Sequence, residues 1–135
     1  TKTCTSEYPV SGPTPDCWYI RSALFYKETI IPALLLKNVT SVRFIGSSRH
    51  CILWARTACR SKNSDWYRNK ITLLFKRTGF SVTWSWNQPA DVDFIMMATA
   101  QIFVVGGGGF SSSAAHCVYR NNNTVIGMPR LSVID

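Results

Sequence analysis

Ile102-Phe103-Val104-Val105 is an uninterrupted apolar run, cut off by the four glycines Gly106 to Gly109 and followed by a stretch of helical character from Ser111 to Tyr119. A strand without polar alternation is covered on both faces, as a central strand of a parallel sheet is. Parallel neighbours cannot be joined by a tight hairpin, because each needs a crossover of a dozen or more residues. The run therefore commits the chain to strand, helix, strand order, provided that the remaining segments supply the partners.

They do. Pro15-Asp16 reads as a helix start, and Ile20, Leu24, Ile31 and Leu35 recur at helical spacing, with a bend or interruption at Pro32. Val42 to Ile45 is short and β-favouring and is closed by Gly46-Ser47-Ser48. From Ser64 as N-cap, Tyr67, Ile71, Leu74, Phe75 and Thr78 fall on one helical face until Gly79 stops the helix. Phe80, Val82, Trp84 and Trp86 then alternate with Ser81, Thr83 and Ser85, a strand with one apolar and one polar face. A short apolar helix from Pro89-Ala90-Asp91 to about Ala100 precedes the buried run, and Thr124-Val125-Ile126 forms a last strand stopped by Gly127 and Pro129. The expected fold is α/β and Rossmann-like, a mainly parallel sheet of about four strands with flanking helices. At 135 residues, positions 1–135 make one domain and are too few for two full-sized ones.

Cys4, Cys17, Cys51, Cys59 and Cys117 are spaced too widely for paired zinc knuckles, so no metal site is expected. Pairings Cys4–Cys17 and Cys51–Cys59 are open, with Cys117 as a buried structural thiol. Asn38-Val39-Thr40 and Asn122-Asn123-Thr124 match the N-glycosylation pattern, and with the cysteines they tilt the compartment toward the secretory lumen, endoplasmic reticulum or Golgi. No stretch approaches the roughly 20 apolar residues of a membrane span. The chain does not open with Met and shows no signal peptide at Thr1, which points to processing, trimming or a piece of something larger.

The turn Gly106 to Ser113 is the most site-like feature. Beyond the carboxyl end of a parallel strand, free amides and the positive end of the next helix face an anion, glycines admit a diphosphate to the backbone, and serines add donors. No Lys follows as in a P-loop, and Ser111 stands at the third glycine of G-x-G-x-x-G. The competing reading is an exposed turn with an ordinary Ser N-cap.

The stretch from Asp93 through Val105, followed by Gly108-Gly109-Phe110-Ser111 through Ala115, resembles a segment of fucosyltransferase-type glycosyltransferases. Their carboxyl-terminal half carries an Asp, a short apolar helix, a hydrophobic strand, a Gly/Ser-Phe-Ser turn and a small-residue helix. Tyr8-Pro9 and Pro15-Asp16-Cys17-Trp18-Tyr19 also resemble the segment after that family's arginine-glycine-aspartate motif. The resemblance implies a donor site for a nucleotide sugar, typically GDP-fucose, with no further cofactor, at Asp93, Gly108, Gly109, Phe110, Ser111 and Ser112. It also implies a second domain or chain that supplies the acceptor site. The family's His-x-Arg-x-Gly-Asp strand is absent here, and Arg49, in the turn Gly46 to His50, is the candidate to replace its arginine.

Asp91 and Asp93 also read as helix-start acids, and His50 and His116 as structural or surface residues without catalytic partners. Charge supports a different class of function. Nine cations from Arg43 to Arg77 face a single acid, Asp65, and Trp54, Trp66, Tyr67, Trp84 and Trp86 offer rings on which bases could stack. Three readings follow: a donor-binding domain of a glycosyltransferase, a non-catalytic subunit of a larger assembly that keeps the fold, and a nucleic-acid binder.

Overall fold

The computed structural model describes residues 23–47, 61–106 and 109–127. It forms two compact units that divide between Pro89 and Ala90. The first holds α1 (Ala23–Phe25), a π-helical turn (Tyr26–Ile30), α2 (Ile31–Leu36), β1 (Ser41–Gly46), α3 (Ser61–Thr78) and β2 (Ser81–Trp86). The second holds α4 (Ala90–Ala98), β3 (Ile102–Val104), α5 (Gly109–Arg120) and β4 (Thr124–Ile126).

Each unit contains a strand, a helix and a parallel strand. β1 pairs with β2 in register Val42↔Val82, Phe44↔Trp84 and Gly46↔Trp86, and β3 pairs with β4 in register Ile102↔Thr124, Phe103↔Val125 and Val104↔Ile126. The α/β class and the parallel pairing follow the sequence expectation. The single ladder of about four strands does not, because Val42–Ile45 is bonded to β2 while Ile102–Val104 and Thr124–Ile126 are bonded to each other. Each crossover helix returns the chain beside the strand it has just left, so the ladder bonds are satisfied in pairs.

The interruption expected at Pro32 takes a definite form. Proline has no N–H, so the α-helical bond back to Glu28 cannot be made. One residue earlier the Ile31 N–H reaches five residues back to the Tyr26 carbonyl, which widens the turn to π geometry. The extra residue in that turn rotates the apolar stripe. Ile30, Ile31 and Leu34 are buried, while Leu24 and Leu35, expected on the inner face, are about half exposed.

Helix stops recur in one form. After α3, Gly79 has φ 105°, its N–H donates to the Lys76 carbonyl (3.0 Å), and the Phe80 N–H donates to Phe75 (3.1 Å). This is the Schellman arrangement, with a left-handed residue just past the helix. Asn38 (φ 58°) and Asn122 (φ 61°) do the same after α2 and α5, with Val39 bonded to Leu34 and Asn123 to Val118. At the other end α3 starts at Ser61, so Ser64 lies inside the helix rather than capping it. Thr78, placed on the inner face by spacing, is exposed at the carboxyl end of α3, where its hydroxyl donates to the Leu74 carbonyl.

The first unit packs around aromatic rings. Phe75 of α3 meets Phe44 (5.0 Å), Tyr26 (5.8 Å) and Phe80 (5.5 Å), and Phe44 stacks on Trp84 at 4.7 Å. Trp84 also donates its indole N–H to the Thr72 hydroxyl (2.8 Å). The polar side of β2 is not uniformly open, since Ser85 is buried. The second unit buries smaller groups, with Ala114, Ala115 and Val118 of α5 fully covered, together with Met97, Phe103 and Val105.

Candidate functional site

The turn after β3 is built by backbone continuity at one end and a helix start at the other. Val105 still donates its N–H to the Ile126 carbonyl (2.9 Å), which carries the ladder one residue past β3. Gly106 then leaves the sheet and donates its N–H to the Ser111 hydroxyl oxygen (2.8 Å). Gly109 opens α5, so Ser111 is the third residue of the helix and not its N-cap. A polar side chain at that position commonly reaches back to an amide ahead of the helix. Its oxygen is engaged as an acceptor, and its proton remains a possible donor.

Around this loop the sequence candidates fall as follows. Phe110 is half exposed, and its ring meets Phe94 of α4 at 5.6 Å. Ser112 is half-buried and has a partner of its own. Gly109 is placed by its backbone only, and Gly108 and Arg49 lie outside the described residues, as do His50, Trp54, Cys4, Cys17, Cys51 and Cys59. Cys117 is a free thiol that is half-buried, not enclosed, because it lies beside rather than on the stripe of Ala114, Ala115 and Val118. His116 is likewise half-buried.

Asp93 is the unusual group. It stands in the first turn of α4, one residue before Phe94, and is only 7% exposed. Its Oδ1 has no hydrogen-bond partner among the described residues, and burial pushes its pKa above the ordinary aspartate value. A carboxyl that merely complements a helix dipole stays in water, as exposed Asp91 does. Leaving a buried polar atom unpaired costs about 1–3 kcal/mol. Among the described residues, α5 therefore presents the first-turn amides of a 12-residue helix, and α4, whose Phe94 packs on the start of that helix, holds an acceptor without a donor.

Among the described residues, three of the rings expected to stack bases have other neighbours. Trp84 is half-buried and stacked on Phe44, the Arg68 guanidinium sits 4.6 Å over Trp86, and the Lys70 ammonium sits 5.0 Å over Trp66. Charge divides with the fold. Residues 23–89 carry eleven Lys and Arg against Glu28 and Asp65, whereas residues 90–127 carry Arg120 against Asp91 and Asp93. Among the described residues no group of three or more His, Cys, Asp or Glu gathers to hold a metal, and no helix is long and apolar enough to cross a membrane.

Two features escaped sequence reasoning. The Gly106–Ser111 bond follows from spacing once the helix is started at Gly109, but a serine beside glycines reads first as a cap. At the carboxyl end of β1, Ser47 donates to the Asn87 side chain (2.9 Å) and the Asn87 N–H donates to the Gly46 carbonyl (3.0 Å), a tie between residues forty apart that no local pattern signals. No protein-family model, no curated protein and no solved structure matches this chain.

Proposed function

We propose that the unit formed by residues 90–127 binds the diphosphate of a nucleotide sugar at the turn between β3 and α5, as the donor half of a fucosyltransferase-like enzyme with a Rossmann-like arrangement. GDP-fucose is the donor class that the sequence resemblance favours. The observation that carries the reading is the buried Asp93 Oδ1, which has no donor among the described residues, on a helix that packs against the start of α5. In this reading the amides at the start of α5 stabilise the departing diphosphate, and Asp93 accepts a hydroxyl of the sugar or ribose. The acceptor site and its base belong to a second domain or chain.

The missing His-x-Arg-x-Gly-Asp strand favours a second reading, a non-catalytic subunit that keeps the donor fold. The nucleic-acid alternative loses support, because the faces of Trp66 and Trp86 are shared with cations and Trp84 is half-buried, stacked on Phe44 and bonded to Thr72.

Titration with GDP, followed by calorimetry and by the amide shifts of residues 109–112, tests donor binding. Saturable shifts there, abolished in Gly109→Val, are the expected result; no response at millimolar GDP in an intact fold overturns the reading. Transfer of a labelled sugar then separates enzyme from subunit.

A further inference from the structure

Helix α3 has two working faces. Ile71 and Phe75 are buried, and roughly opposite them Trp66, Lys70, Leu73 and Arg77 follow at intervals of four, three and four residues. At about 100° per residue these four lie within a band about 60° wide and roughly 17 Å long. Trp66 is 40% exposed and Leu73 50% exposed, Arg77 is exposed with Lys76 beside it, and Lys70 lies over the Trp66 ring. The helix has five cations and one carboxylate, Asp65, which is held by Arg68 at 3.5 Å.

We propose that this outward face of α3 docks on a lipid bilayer with anionic headgroups, the helix lying parallel to the surface. Three observations select that occupant. The charge is strongly one-sided, which complements an anionic surface. Two large apolar side chains are exposed among the cations: an indole suits the headgroup level, and a leucine gains by entering the boundary with the acyl chains. A phosphate backbone, in contrast, gains nothing from burying Leu73, and one face of the Trp66 ring is already covered by Lys70. Docking leaves the buried side of α3 on its strands, so no unfolding is required. The proposal is independent of the donor site. It also sets this face toward the cytoplasm, where anionic lipid is concentrated, against the luminal expectation drawn from the two Asn-x-Thr tripeptides.

The test is co-sedimentation of the full chain with phosphatidylcholine vesicles, with and without phosphatidylserine. Binding is expected only with phosphatidylserine and weakens as salt rises. The double change Lys70→Gln and Arg77→Gln reduces partitioning about 30-fold, from roughly 1 kcal/mol per cation near the surface. Leu73→Ser lowers it further at unchanged charge, while circular dichroism shows the helix intact in every variant. Failure to bind, binding that ignores phosphatidylserine, or binding untouched by Leu73→Ser overturns the proposal. Binding to polyuridylate that falls in the double variant but not in Leu73→Ser, with no vesicle binding, assigns the face to nucleic acid instead.

Discussion

The two strand–helix–strand units share a topology and differ in what they do with it. In the unit ending at Pro89, the carboxyl ends of the parallel pair are filled and tied. Trp86 crowds Gly46, Ser47 bonds Asn87, and aromatic rings occupy the space between helix and strands. In the other unit the corresponding end is made of Gly106 and the start of α5, and the helix approaches through Ala114 and Ala115. A Cβ at Gly46 would collide with the Trp86 ring, whereas one at Gly106 would touch the Ser111 hydroxyl at ordinary distance, so among the described residues the second end is the less filled. The same backbone plan thus serves as a scaffold once and as a candidate site once, and side-chain volume at the strand ends separates the two uses.

The largest test of that contrast is in the cores. Phe75→Ala should destabilise the chain by about 3–5 kcal/mol, because its ring joins Tyr26, Phe44 and Phe80 and is 1% exposed. Ala115→Leu, the opposite change in the small-residue core, should cost about 1–3 kcal/mol by overpacking. Urea unfolding followed by circular dichroism measures both. If Phe75→Ala cost less than about 1 kcal/mol, the aromatic cluster would not be the support described.

Next come the glycines at the strand ends. A Cβ at Gly46 would lie 2.8 Å from the Trp86 ring, which is itself held against Trp84 and Arg68, so something must move. Gly46→Ala should cost about 1–3 kcal/mol. At Gly106 a Cβ would meet, among the described residues, only the Ser111 hydroxyl, at 3.6 Å, and Gly106→Ala should change stability by about 0.5 kcal/mol or less. Equal effects in thermal unfolding would erase the distinction between a filled and an open end.

The effect expected at Asp93 is read as a pH dependence. Burial raises its folded-state pKa, so the unfolded chain gives up that proton at a lower pH than the folded one. Stability is therefore lost as pH rises from the ordinary aspartate value through the raised one, and the loss persists above it. Asp93→Asn should flatten this limb and leave the fold more stable at neutral pH. Under the donor-site reading, the same change should weaken GDP-sugar binding, and gained stability with lost binding is the signature of a group kept for a ligand. A melting-temperature profile of the variant that parallels the wild type from pH 4 to 8 would remove Asp93 from the argument.

Much of the plan was legible in the sequence because periodicity is local. The alternation Val82-x-Trp84-x-Trp86, the run Ile102 to Val105 and the stop at Gly79 each mark an element without reference to distant residues. What escaped depends on contacts across the chain or on one residue of phase. The π turn shifts the stripe of α2 by one position, so Leu35 reads as buried and Leu34 is. The pairing of strands into two ladders depends on which neighbour each crossover reaches, and a strand's own residues do not encode that. Asp93 stands out in the sequence only through resemblance; that its Oδ1 has no partner among the described residues is a property of the fold.

The asparagines that close α2 and α5 change how two conspicuous tripeptides should be weighed. A helix that must hand over to a strand within two or three residues needs a left-handed residue, for which asparagine is the best choice after glycine, and then a β-branched residue to begin the extended segment. Asn38 followed by Thr40, and Asn122 followed by Thr124, meet both demands. Asn-x-Thr is thus the grammar of a helix-to-strand junction, and the motif arises here whether or not a glycan is ever attached. The usual Asn→Gln replacement would confound the two roles by placing an unfavourable side chain at positive φ. Asn→Gly keeps the backbone and removes only the acceptor.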